Sequence, residues 1–213
     1  IKTATLPEQP GDAAEIAEYQ EHGEKLLARN KLARIKAPMT TNLIGHSRLV
    51  NEGLHAIMEK ADTQAGILSS GLFLTNLPKG IVDRNQLHQM LPHAMHVMRV
   101  TLDRYNLWRL IQEMEKNRNF LTKFPQKGMG FRGKYFGELH YEGLRYDHDA
   151  GQLFFHEDLV SPIKTYQVAM PDHYLFIPFF PTLSIIGQNE ILYDENLRDV
   201  FGDYMAKHYP LTQ

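Results

Sequence analysis

The chain has 213 residues, 43% of them hydrophobic and 23% charged, the make-up of an ordinary globular domain long enough to bury a substantial core. A formal net charge of −2 gives no general electrostatic reason to bind nucleic acid or an anionic membrane, and no apolar run approaches the roughly 20 residues that cross a bilayer. With no cysteine, the chain has no disulfides, thiolate metal sites or cysteine nucleophiles, and its localisation stays open. It begins Ile1-Lys2-Thr3 without a methionine, as an excised piece of a longer protein would. Leu6 to Gly11, with two prolines and a glycine, reads as a linker. Asp12 and Glu15 fit a capping box, and Ile16, Tyr19, Gly23, Leu26 and Leu27 at helical spacing predict a helix over 12–29.

Pro38 with Thr40, Thr41 and Asn42 marks a second loop, so residues 1–40 are assigned to a linker and its helix and 41–213 to one domain. Val50, Gly53, Leu54, Ile57 and Met58 form a stripe that predicts a helix from Ser47 to Lys60. A short buried strand is expected at Gly66–Ser69, with a polar turn at Ser69-Ser70-Gly71. Pro78-Lys79-Gly80 reads as a turn, and Asp83 with Gln86 as a cap ahead of Leu87, Met90 and Leu91. His96 to Val100 alternates like a strand. Thr101 to Asp103 then caps a helix whose Leu107, Leu110, Ile111 and Met114 share a face. The second half reads as strands at 137–148, 151–156 and 165–170, and Leu197, Val200, Phe201, Tyr204 and Met205 close the chain with an amphipathic helix. Without a regular βαβ alternation, the expected class is α+β, a mixed sheet with flanking helices.

Eleven histidines invite a metal reading, but they have no cysteine partners and few acidic neighbours, so no metal is expected within this chain. His148, His156 and His173 read as surface or pocket residues, and Trp108 as packing. Ser69-Ser70-Gly71 lacks the Gly-x-Ser-x-Gly elbow of a nucleophile. A stand-alone enzyme built on His93 and Asp172 is the least favoured reading. Lys127-Gly-Met-Gly-Phe131-Arg132-Gly133-Lys134 combines three glycines with three cations. It reads either as an anion-binding loop, with Arg132 and Lys134 as its contacts, or as a basic surface loop that needs glycines for its turns.

Four segments carry a resemblance. Leu77-Pro78-Lys79-Gly80 to Leu91-Pro92-His93, the strand before them, Leu139 to Asp147 and Thr165-Tyr166-Gln167-Val168-Ala169 stand in the order and spacing found in the C-terminal domain of the 5′-nucleotidases, a family that includes UDP-sugar hydrolases and 2′,3′-cyclic-nucleotide phosphodiesterases. The resemblance implies that residues 41–213 are a substrate-binding domain of this kind. Its partner would be an N-terminal metallophosphoesterase domain carrying two divalent metal ions, whose Asp-x-His and Gly-Asn-His-Glu motifs are absent from this chain. The ligand would be a small phosphorylated substrate, with nucleotides as candidates, and its contacts would be Ser70, His93, Arg132, Lys134, Gly143, Asp172 and His173; this chain alone would be inactive.

Several positions depart from the family pattern. The family's phosphate-site arginine falls on Leu74, which has no guanidinium to offer an oxyanion. Its two base-stacking phenylalanines fall on His93 and His173, and its Gly-Gly-Asp-Gly has no match in Ile177 to Thr182. The alternative is therefore a non-catalytic module on the same fold that recognises another ligand or a protein.

Overall fold

The computed structural model describes residues 11–128, 130–186 and 190–212; the expected linker at Leu6–Pro10 lies outside them. Helix α1 (Asp12–Arg29) begins where the spacing predicts it, but Asp12 does not cap it. The N-cap is Gly11, at φ 105°, and no side chain closes the end. Asp12 and Glu15 instead lie in the first turn, where their charge favours the helix dipole. No residue of α1 is buried, and Ile16, Tyr19 and Leu26 of its apolar stripe are exposed. Strand β1 (Lys31–Ile35) follows.

Helix α2 (Arg48–Ala61) is capped by the Ser47 side chain, which accepts from the Val50 amide, and it buries Val50, Gly53, Leu54 and Ile57 as its stripe requires. Strand β2 (Gly66–Ser69) is buried throughout and runs into a 3₁₀ turn at Ser70–Leu72. Strand β3 (Gly80–Asp83) pairs antiparallel with β1, Arg34 opposite Ile81. Helix α3 (Arg84–Met90) opens on a reciprocal capping box between Asp83 and Gln86. Strand β4 (His96–Asp103) reaches three residues beyond Val100, so that Asp103 alone caps helix α4 (Arg104–Lys123), its carboxylate accepting from the Asn106 amide.

The expected strand over 137–148 is two strands, β5 (Leu139–Glu142) and β6 (Leu144–Asp147), in different sheets. The break is steric. Gly143 has φ +71°, and a Cβ there would lie 2.1 Å from the Gln64 carbonyl oxygen. Strands β7 (Gln152–Phe155) and β8 (Asp158–Leu159) complete a three-stranded sheet with β6. Then come β9 (Thr165–Pro171), a 3₁₀ turn at Asp172–Phe176, helix α5 (Pro181–Ile186), strand β10 (Glu190–Asn196) and helix α6 (Leu197–His208).

The central sheet has the order β10-β4-β9-β2-β5. It is antiparallel except where β2 runs parallel to β9. Alternate residues feed opposite faces. Leu68, Val97 and Ala169 join a core with α2, α3, α6, β1 and β3, while Ile67, Met98, Val168 and Met170 join one with α4, α5 and β7. This is the expected α+β architecture, a mixed sheet between helices.

Candidate functional site

The sheet brings the end of β2 beside the segment that follows α4. The Ser70 hydroxyl donates to the Leu43 carbonyl (2.7 Å) and accepts from the Glu138 amide (2.9 Å), and the Ser70 amide donates to the Glu138 carbonyl (2.9 Å). Ser70 is 1% exposed. Its hydroxyl and its amide are both spent on joining three chain segments, which is the work of a structural pin.

Beside it, Gly71 admits the incoming chain at van der Waals limits. A Cβ on Gly71 would lie 2.0 Å from the Tyr135 carbonyl oxygen, and one on Gly133 would lie 2.7 Å from that of Gly71. The basic segment is thus docked on the 3₁₀ turn over Phe131–Phe136 rather than looping freely. Arg132 and Lys134 remain exposed, and the Lys134 ammonium lies 5.0 Å from the centre of the Tyr135 ring.

His93 holds this segment from the other side. Its Nε2–H donates to the Leu72 carbonyl (2.8 Å), and its Nδ1 accepts the Arg132 amide (3.1 Å), so the geometry demands the Nε2-protonated neutral tautomer. Burial pushes its pKa below the usual histidine range; the backbone bonds at Leu72 and Gly130 oppose that shift, while the Arg132 and Arg198 charges add to it. One face of the imidazole is covered by Phe131, in a parallel stack with 5.3 Å between centroids. Nothing in the local sequence announces that stack, because the two residues belong to different loops.

His173 lies inside the protein and not at its surface. It is 4% exposed, packed on Phe136 and Tyr174, and neither ring nitrogen has a hydrogen-bond partner. Burial pushes its pKa down to about 3, with nearby His93 adding to the effect. Adjoining Tyr174 also buries its hydroxyl, next to Ser69. Asp172 pairs with His96 and not with His93: its carboxylate accepts the His96 amide at 3.1 Å and lies 3.2 Å from His96 Nδ1. That removes the geometric basis for a His93–Asp172 enzyme.

Gly143 stands apart from this group, at the far end of β5, on the order of 13 Å along the strand from Leu139. Leu74, 39% exposed, presents a hydrocarbon to solvent where the family resemblance has its arginine. The structure therefore gathers Ser70, His93, Arg132, Lys134 and His173 around one docked segment and leaves Gly143 out. An open cleft of about 460 Å³ lined by Arg109, Gln112, Glu115, Lys116, Tyr146 and His148 contains none of the expected substrate contacts, though His148 does sit in a pocket. Among the described residues, no group of three or more His, Asp or Glu side chains is gathered to hold a metal, so no residue here is assigned to one. No helix of the described residues is long and apolar enough to cross a membrane.

No protein-family model matches the chain. It is 24% identical over 97% of its length to an uncharacterized metallophosphoesterase, YunD of Bacillus subtilis, and spans 47% of that protein. Among solved structures it superposes on a 5′-nucleotidase precursor from Thermus thermophilus with a TM-score of 0.70 at 16% identity, over 92% of this chain and 40% of that one. A putative 5′-nucleotidase from Staphylococcus aureus, solved with α-ketoglutarate, also gives 0.70, at 13% identity over 100% and 44%. The sulfate thiohydrolase SoxB of Thermus thermophilus gives 0.60 at 13% identity over 96% and 37%. The fold is therefore that of the 5′-nucleotidase C-terminal domain, as the sequence resemblance implies, and the chain spans about half of the relatives it matches or less.

Proposed function

We propose that this chain is the substrate-binding domain of a two-domain, metal-dependent phosphoesterase, acting on a nucleotide or a related phosphate ester. The observation that carries the reading is the likeness to a metallophosphoesterase along nearly the whole chain, joined to a nucleotidase fold. In this reading the metal chemistry belongs to a second domain outside this chain. Two divalent ions there would activate the attacking water and stabilise the phosphoryl group. Arg132 and Lys134 would neutralise and orient the phosphate, with the docked Phe131–Phe136 segment setting their positions.

The test is phosphate release with divalent metal present, measured for the 213 residues alone and for the longer protein that carries them. Activity in the longer protein and none in the shorter is the expected result. Robust metal-dependent hydrolysis by the 213 residues alone overturns the division of labour. A second reading, a recognition module without a catalytic role, draws on one observation: exposed Leu74 supplies no anion contact where the resemblance has an arginine.

A further inference from the structure

The Phe131 ring lies parallel to the His93 imidazole, with 5° between planes and 5.3 Å between centroids. A flat ligand stacking on His93 would have to take up the same position. Two ring contacts and the local backbone place the phenyl ring there. The next residue, Arg132, donates its amide to His93 Nδ1 at 3.1 Å. Gly133 leaves the ring room, since a Cβ would stand 2.6 Å from Phe131 Cζ. Phe136 meets the ring with 6.3 Å between centroids, and the second ring contact is the stack itself. His93 is left 1% exposed, while Phe131 is half-buried. A base or other aryl group can stack on that face of His93 only by displacing the Phe131 ring.

We propose that Phe131 is a specificity-determining residue, a built-in occupant of the planar slot over His93 that excludes nucleobases. The phosphate ester is then one whose organic part is not held by stacking on His93, a sugar or polyol phosphate being the simplest such class. This rests on the phosphoesterase reading above for its phosphate but not for its exclusion of aromatic rings. His173 offers no second platform, being buried beneath Phe136 and Tyr174.

The experiment is a calorimetric titration of the 213-residue chain with adenosine, wild-type beside Phe131→Ala. Truncation to a methyl group opens a ring-sized gap, and an apolar cavity of about 150 Å³ is enough to take up benzene. The variant is expected to bind adenosine at least about tenfold more tightly than the wild type. Equal affinity in the two proteins, or no binding by a folded variant, overturns the proposal.

A second measurement needs no variant. Millimolar adenosine is expected to leave the Arg132 amide and His93 ring resonances of the wild-type chain unmoved, and a saturable shift in either overturns the exclusion. Adenosine carries no phosphate, so these outcomes are separate from the phosphoesterase reading, which is decided by phosphate release from the longer protein.

Discussion

His93 Nδ1 accepts the backbone amide of Arg132 at 3.1 Å, joining residues 39 positions apart. The same ring donates from Nε2 to Leu72. An imidazole thus does what a phenyl ring cannot, tying the basic segment to the end of β2 through two directional bonds. Its face, meanwhile, is spent on Phe131.

Replacing His93 with Phe keeps the apolar area and loses both bonds. It leaves a Leu72 carbonyl and an Arg132 amide without their partner. At roughly 1 kcal/mol for each ordinary hydrogen bond, the expected loss is about 2 kcal/mol in urea unfolding. A loss no larger than that of an exposed substitution would show that the two bonds do not hold the segment.

Ser70→Ala removes a donor to Leu43 and an acceptor for Glu138 at a site 1% exposed. The Glu138 amide and the Leu43 carbonyl keep the bond they make to each other (3.1 Å), so the expected loss is that of two ordinary hydrogen bonds, on the order of 2 kcal/mol. If Ser70 acts mainly through ligand contact, the melting temperature of the free protein will hardly change, and that outcome would contradict the role of pin.

The pH dependence of stability follows from His173. The folded protein keeps this ring neutral to about pH 3, whereas the unfolded chain protonates it near the ordinary value of 6.5. Below 6.5 the unfolded state therefore binds more protons, and stability present above that pH is lost progressively as the pH falls toward 3. At pH 5 the loss is on the order of 2 kcal/mol, and buried His93 shifts in the same direction. His173→Phe should flatten the dependence. It should also raise stability at neutral pH by about 1 kcal/mol or more, because two buried nitrogens without partners are removed. Parallel thermal melts at pH 5 and pH 7.5 check both signs.

What could be read from the sequence was mostly local. The stripe of α2, the Asp83–Gln86 box and the strand at β4 are written within a few residues of one another, and the structure reproduces them. Strands β1 and β3 were not legible. Each is four or five residues long, they pair across some fifty residues, and Pro78-Lys79-Gly80 followed by Asp83 reads as punctuation. At the candidate site the residue types around Arg132 were visible, but the contacts that define its geometry are not periodic. Phe131 meets His93, and Gly133 meets Gly71, across separate loops. Polar His173 gave no sign of burial, because its place depends on Phe136 and Tyr174 packing over it.

The most direct test of the account is steady-state phosphate release by the longer protein from a panel of phosphate monoesters, wild-type beside an Arg132→Ala/Lys134→Ala double variant. If these two exposed cations orient the substrate phosphate, KM should rise at least about tenfold, equivalent to about 1.4 kcal/mol of lost binding, with kcat changing far less. Unchanged kinetics on every hydrolysed ester would contradict it.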